Sequence, residues 1–346
     1  FPGHPDEPNL VPAVCRAFGR SVTGNDTAAL SLALDKAQAK AVLAAAGVPV
    51  PPGITVPVGG DLKDCRLPAG RYMVKPLRTD GSEGIDADSV AVWPGPALAA
   101  AVRRVHDGFG QPALVERFFG TREFNLSLLQ DGKTVRVLPL AEIVFDGFGP
   151  DRPPIVGYAA KWRPESFEYA HTRRVLPAPV DAETAARLAA CATQAWEALG
   201  CRDYARVDIR LEPDGALAVI DVNPNPDIAP DAGFPRAAEA GGYTYADFVA
   251  VLLRNALERL DAKADLPRPP PAPLAGGAPP TIRTTVAADR DRILGFTQRT
   301  GFFRPDELDI AREVLDEAIQ DGPGGHYQSL TLESDGAAAG WICFGP

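Results

Sequence analysis

Arg206, Asp208, Asp221 and Asn223 stand close together in a stretch whose pattern predicts a β-hairpin. Tyr204 to Leu211 and Leu217 to Asn223 both alternate and carry β-branched residues, and Asp214-Gly215 between them suits a type I′ turn. With those two residues as the whole loop, Asp208 faces Asp221 and Arg206 faces Asn223 across the ladder. Side chains two apart on a strand share a face, so all four share one. Two carboxylates directly opposite one another repel in a plain sheet. A hard divalent cation between them reverses the sign, and Asp, Asp and Asn are oxygen ligands of the kind Mg2+ takes. Arg206 beside them suits a phosphate. A hairpin with a solvated charged face accounts for the same residues, and the hairpin alone leaves both readings open.

The rest of the chain must hold that hairpin. With 346 residues it has room for two or three domains. A net charge of −10 argues against a general nucleic-acid binder but not against local basic pockets. Cys15, Cys65, Cys191, Cys201 and Cys343 are scattered and fit buried small hydrophobes in a reducing compartment better than disulfides or a zinc site. No run is long and apolar enough to span a bilayer, and no secretory signal pattern opens the chain, so the expected compartment is the cytoplasm, with no membrane partner. Only seven of the 35 basic residues are lysine, which gives each lysine slightly more weight.

In chain order, a helical pattern covers Leu10, Val14 and Ala17, and residues 21–26 read as a short strand running into a turn. A helix is expected from about Asp35 to Ala46, followed by the stiff hinge Val48-Pro49-Val50-Pro51-Pro52-Gly53. Residues 71–76 form a strand that leads into the glycine-containing loop Leu77 to Ile85. Residues 97–105 are helical and 113–119 a strand. Residues 123–129 and 135–145 are strands joined at Asp131-Gly132. The long loop 146–179 carries Lys161. Asp181 caps a helix that runs to Leu199. Residues 247–260 form an amphipathic closing helix. Residues 264–280 read as a Pro-rich linker. Beyond it lie a strand at 281–286, helices at 287–299 and 305–319, and strands at 327–333 and 338–344.

Residues 21–262 resemble the ATP-grasp superfamily and, within it, the D-alanine–D-alanine ligase branch. The likeness lies in several separated motifs taken together. Lys40 on the helix before the hinge resembles the first nucleotide lysine. Lys75-Pro76 and the Gly81-Ser82 loop resemble the strand and glycine loop that cover the phosphates. Glu116, Arg117, Phe118, Phe119 and Glu123 resemble the hinge strand that holds adenine and ribose. Phe118 and Phe119 alternate in a strand, so one of them is expected to be core. Lys161 resembles the phosphate-contacting lysine of the mobile loop. Arg206 falls on the reaction-centre arginine, and Asp208, Asp221 and Asn223 on the metal ligands. The resemblance implies ATP and Mg2+, with Mn2+ as an alternative, and small carboxylate and amine substrates, amino-acid-like; a homodimer is a further expectation. It implies a two-step reaction. A carboxylate attacks the γ-phosphate to give an acyl phosphate, and an amine then displaces the phosphate.

The sequence departs from that pattern just past Asn223. The second metal carboxylate is Asp221 rather than Glu. Asn223-Pro224-Asn225-Pro226-Asp227 puts Asp where the family has glycine. The loop Ile228 to Ala232, which holds the second amino acid's carboxylate in the resembled ligases, has no hydroxyl, and Glu83 replaces a second serine. Nucleotide and metal chemistry reads as kept, and the amine as open. Residues 281–346 resemble the start of a GCN5-related N-acetyltransferase (GNAT) domain, on Thr281-Ile282-Arg283, Asp289-Arg290, Thr300-Gly301-Phe302-Phe303 and Gly340 to Pro346. Acetyl-CoA is expected only in a full-length protein, and both ends read as cut from a longer one.

The expected fold class is α+β: an ATP-grasp fold of two α+β subdomains clamping ATP, plus an incomplete GNAT-like α/β segment. The expected division is 1–53 as remnant N-terminal domain and hinge, 54–115 as the central ATP-grasp subdomain and 116–263 as the C-terminal one with the Mg2+ site. Residues 264–280 follow as linker and 281–346 as partial GNAT domain. The leading function is an ATP-dependent carboxylate–amine ligase joined to an acetyltransferase. One alternative is a nucleotide-binding regulatory module of the acetyltransferase without ligase turnover. Another is a partial acetyltransferase acting as an interaction domain.

Overall fold

Asp26 and Asp35 start two consecutive helices by accepting backbone N–H groups in their first turns: Ala28 and Ala29 bond to Asp26, and Gln38 to Asp35. The computed structural model describes residues 9–63, 65–149, 152–261, 281–299, 305–334 and 336–344. The Pro-rich linker 264–280, Thr300-Gly301-Phe302-Phe303 and the terminal Gly345-Pro346 lie outside the described residues. The chain divides near Leu266 into two units.

The larger unit opens with helices α1 (Leu10–Ala17), α2 (Thr27–Leu34) and α3 (Lys36–Ala45). A first sheet follows, from β1 (Gly53–Val56), β2 (Gly70–Pro76), β3 (Val90–Trp93) and, after helix α4 (Pro96–Phe109), β4 (Ala113–Arg117). Its antiparallel order is β1-β4-β2-β3. One face is apolar: Tyr72, Val74, Ala113 and Val115 pack under Leu98, Ala101, Val102 and Val105 of α4. The alternate residues Met73, Lys75 and Glu116 point the other way, into a cavity.

A second sheet comprises β5 (Arg122–Asp131), β6 (Thr134–Val137), β7 (Ala141–Phe145), β8 (Thr172–Val175), β9 (Tyr204–Leu211) and β10 (Leu217–Asn223). Helices α5 (Tyr158–Trp162) and α6 (Phe167–His171) precede β8, and α7 (Ala182–Ala198) follows it. The order is β10-β9-β5-β7-β8, with β6 paired to β5. Its apolar face, with Phe124, Leu126 and Leu128 of β5 and Val207 and Ile209 of β9, packs on Leu188, Ala192, Ala195 and Trp196 of α7. The other face carries Glu123 and Asn125 of β5, Arg206, Asp208 and Arg210 of β9, and Ile143, Thr172 and Arg174 of β7 and β8. Helices α8 (Gly233–Ala240) and α9 (Tyr245–Asp261) close the far end of that face over Leu129 and Tyr204.

Several expectations are corrected. Residues 21–26 form no strand. Side-chain bonds hold them instead: Gly24 N donates to Asp203 Oδ2 (2.6 Å), and Asn25 Nδ2 donates to the carbonyls of Tyr204 and Pro224. The strand expected over 135–145 is two, because Pro139 offers no N–H to the ladder at the break. The loop expected over 146–179 contains α5, α6 and the edge strand β8, which pairs with the preceding strand β7. Cys191 and Cys201 are buried, and burial pushes their thiols up to about 11 and about 12.

The smaller unit contains β11 (Thr281–Thr284), α10 (Arg290–Arg299), α11 (Pro305–Asp321), β12 (Gln328–Ser334) and β13 (Ala337–Phe344). Its antiparallel sheet runs β11-β12-β13 over a core of Ile293, Leu315 and Ala338. Arg283 ties β11 to the turn before α10 and to β12 through Asp289 (2.6 Å) and Glu333 (2.5 Å).

Candidate active site

The polar faces of the two sheets line a cavity of about 270 Å3. It contains Lys75, Gly81, Ser82, Glu116, Phe118, Phe119, Glu123, Lys161, Arg206, Asp208, Asp221 and Asn223, so these candidate residues meet in one place. Lys40 is the exception.

The hairpin delivers its four residues by a route the sequence did not display. Asp208 pairs with Asp221 and Arg206 with Asn223. Near the turn, however, Leu211 pairs with Leu217 and Ile209 with Val219, one residue out of step with that register. The turn is three residues, Pro213-Asp214-Gly215, closed by Glu212 N donating to Ala216 O (2.8 Å), with Gly215 at φ 86°. A bulge between Val219 and Asp221 restores the register. Val219 and Val222 therefore both reach the core, while Ile220 and Asp221 both face the cavity. Without the bulge a three-residue turn would send Asp221 into the core.

Asp208 is held on two sides. Arg206 Nε and Nη2 donate to its two oxygens (2.7 and 2.9 Å), and Asn125 Nδ2 donates to Oδ1 (2.9 Å). Burial alone would lower the Arg206 pKa, but the Asp208 charge and hydrogen bond, with Asp221 and Glu123 beyond, raise it. The guanidinium is therefore charged at any working pH. The donor set suits a hard cation: two facing carboxylates and an amide oxygen, with Arg206 as the charge that Asp208 keeps when no cation is bound. Asn223 Oδ1 already accepts Asn225 N (2.8 Å), which fixes its orientation.

On the opposite wall Glu116 lies between Lys40 (2.6 Å) and Lys75 (2.7 Å). Burial would raise its pKa, but the two ammonium charges and their hydrogen bonds outweigh that and bring it down to about 2. Burial would lower Lys75, and the Glu116 charge and hydrogen bond raise it instead. Lys40 stands behind Glu116, off the cavity wall. The lysine of α3 that lines the cavity is Lys36, one turn earlier, whose Nζ donates to the Thr79 carbonyl at the base of the glycine loop. Burial lowers the Lys36 pKa, opposed by Asp221 and Asp80. Lys40, the lysine expected to face the nucleotide, thus lies off the cavity wall, and Lys36 lines it. Two lysines four apart share one helix face, and only the fold tells which one reaches the cavity.

Gly81 and Ser82 both take positive φ, at 63° and 64°. Trp162 Nε1 donates to Gly81 O (2.8 Å) and Ser82 Oγ to Val156 O (2.8 Å), so the segment carrying Lys161 is latched to the glycine loop. Burial, then the Arg206 charge, lower the Lys161 pKa. Phe118 and Phe119 both line the cavity, because β4 ends at Arg117 and strand alternation no longer applies. The expectation that one of them is core is corrected. Glu123 Oε2 accepts from Arg210 Nε and Nη2 (2.9 and 2.8 Å), and the Arg210 guanidinium lies 4.9 Å from the Phe118 ring centroid.

Sequence reasoning missed Lys36, Asp80, Asn125, Arg174 and Arg210. The two-residue period shows two of them: Arg210 continues Arg206 and Asp208, and Asn125 follows Glu123. Arg174 carries no such signal, because its strand was not expected.

Residues 65–254 match the family described as D-ala D-ala ligase C-terminus. The D-alanine–D-alanine ligase of Synechococcus sp. (strain JA-3-3Ab) is 30% identical over 275 residues, covering 77% of this chain and 79% of that protein. The D-alanine–D-alanine ligase of Ralstonia nicotianae is 31% identical over 262 residues, 75% of this chain and 74% of the relative. Among solved structures, the D-alanine–D-alanine ligase of Bacillus anthracis complexed with ATP shares the fold, with a TM-score of 0.58 at 20% identity over 74% of this chain and 76% of that one. The VanG D-Ala:D-Ser ligase of Enterococcus faecalis gives 0.57 at 21% identity over 72% of this chain and 68% of that one. With its two sheets, its family match and its relatives, the chain belongs to the D-alanine–D-alanine ligase family and is an ATP-grasp enzyme of the ligase type.

Proposed function

We propose that this chain is an ADP-forming carboxylate–amine ligase acting on amino-acid-like substrates through an acyl phosphate. One observation carries the reading most: a bulged hairpin aims Arg206, Asp208, Asp221 and Asn223 into the same cavity as Lys75, Lys36 and the Gly81-Ser82 loop. Lys36, Lys75 and Lys161 would neutralise the triphosphate, and the loop's backbone N–H groups would approach its oxygens. Phe118 and Phe119 would flank adenine, and Glu123 would take ribose hydroxyls. Asp208, Asp221 and Asn223 would hold Mg2+, which when bound offsets phosphate charge; Mn2+ suits the same oxygens.

The substrate carboxylate attacks the γ-phosphate, and the bond to ADP breaks. The amine then attacks the acyl carbon and phosphate leaves. Arg206 faces the negative charge that develops on the acyl oxygen. Removing such a donor costs about 3–4 kcal/mol, or ~10²–10³ in rate. Arg206→Ala should therefore cut ADP release by that factor while circular dichroism reports an intact fold; wild-type turnover in the variant would contradict the role. Asp227 and the hydroxyl-free loop after it support an amine substrate other than D-alanine, another amino acid or a different amine. For residues 281–344, the strand–helix–helix–strand–strand order with an antiparallel sheet supports the acetyltransferase reading at the level of topology only.

A further inference from the structure

Four of the cations lining the cavity have a partner. Arg206 is held by Asp208, Arg210 by Glu123, Lys75 by Glu116, and Lys36 by a carbonyl. Lys161 sits on the segment latched to the phosphate loop. Neither Lys161 nor Arg117 has a side-chain hydrogen bond or carboxylate partner among the described residues, and Arg174 is set apart by what surrounds it. It lies on the edge strand β8, paired with Ile143, with its side chain on the same sheet face as Arg206 and Asp208. It is exposed, so it stands at the open side of the cavity, and no hydrogen bond or carboxylate holds its guanidinium among the described residues. Two residues before it on the same face, Thr172 Oγ1 is buried with no hydrogen-bond partner. At the other side of the guanidinium is Gly233, the first residue of α8: a Cβ there would stand 2.6 Å from Arg174 Nη2. The absence of a side chain at 233 gives the guanidinium its place.

We infer that Arg174 holds the carboxylate of the amine substrate, so that the second substrate is an amino acid or another amine bearing an acid. This rests on the ligase reading above. An unpaired guanidinium fork and an orphan hydroxyl call for an anionic, hydrogen-bond-accepting ligand. Of the two organic substrates, the first spends its carboxylate in the acyl phosphate and, if an amino acid, keeps only a cationic ammonium, which Arg174 repels. The amine substrate is neutralised at its reacting nitrogen and keeps any carboxylate through the reaction. Arg174 is thus a specificity-determining residue and takes no part in the bond changes.

The test measures ADP release by the full chain with Mg2+ and ATP, using D-alanine and then other amino acids as the amine, each against its own carboxamide. Wild type is expected to favour the acid over the amide. Arg174→Gln should raise the KM for the acid about 10- to 100-fold, the worth of one charged hydrogen bond, and move the KM for the amide and for ATP far less. Arg174→Lys should recover part of the loss. An acid-to-amide ratio unchanged in Arg174→Gln overturns the assignment, as does an equal rise in the KM for ATP. Wild type that binds ATP yet releases no ADP with any amine overturns the ligase reading and this one together, a result distinct from an unchanged ratio.

Discussion

Glu116 is the most constrained side chain of the site. It is 2% exposed and sits between two ammonium groups, so its charge holds Lys40 and Lys75 in place. Glu116→Gln leaves both lysines buried without a counter-charge, and breaking such a pair costs about 3–5 kcal/mol. Urea denaturation should show that loss, and a change below 1 kcal/mol would contradict the account. The same group sets a pH dependence. A carboxyl depressed to about 2 in the folded state adds stability that is complete above its unfolded value, roughly 4.3. That stability fades as pH falls from there toward about 2. Carbon NMR of the Glu116 carboxyl should therefore titrate well below the ordinary range. The two lysines of α3 separate binding from folding. Lys36→Ala should raise the KM for ATP about 10-fold or more, the worth of a charged hydrogen bond. Lys40→Ala should instead lower stability by about 3 kcal/mol, the low end for a broken buried pair. The reverse pattern would restore Lys40 as the nucleotide lysine.

Among the elements, the hairpin shows both how far the sequence reads and where it stops. Alternation placed Arg206, Asp208, Asp221 and Asn223 on one face, and the face is right. A two-residue turn would give that pairing directly, yet the turn has three residues and the bulge at Ile220 compensates. Bulges have no reliable residue signature, so the pairing was legible and its cause was not. Edge strand β8 was invisible for another reason: Thr172-Arg173-Arg174-Val175 is short and polar, and α5 and α6 separate it from its partner β7. Asp181 and Gly200 gave α7 away because caps are local chemistry. The turn between Phe119 and β5 carries a prediction of its own. Gly120 has φ 74°, and a Cβ there would lie 2.6 Å from Arg210 Cβ. Gly120→Ala should cost about 1–3 kcal/mol through strain and overpacking. It should also weaken ATP binding, because Arg210 positions Glu123 and lies against Phe118. Calorimetric titration with ATP checks both the affinity and the fraction of competent protein.

At the scale of the whole molecule, the larger unit works as two sheets that turn their apolar faces outward to α4 and α7 and their charged faces toward one another. That inversion is what allows so many ionised groups to share one cavity, where Arg206, Arg210 and Lys75 are each offset by a carboxylate. No helix among the described residues is long and apolar enough to cross a membrane. The resemblance to the D-alanine–D-alanine ligase branch covered this unit, and the family match over residues 65–254 lies inside it. Which amine is used was not legible, because the segment after Asn223 departs from the family pattern and Arg174 lies on a strand that the sequence does not signal.

The most direct test of the central claim is ADP release by the full chain with Mg2+ and ATP across pairs of amino acids, with the products weighed by mass spectrometry. The account predicts one new C–N bond for each ADP formed, and loss of both when the amine is omitted. ATP binding without ADP release for any carboxylate–amine pair would contradict it, and would leave a nucleotide-binding module in place of a ligase.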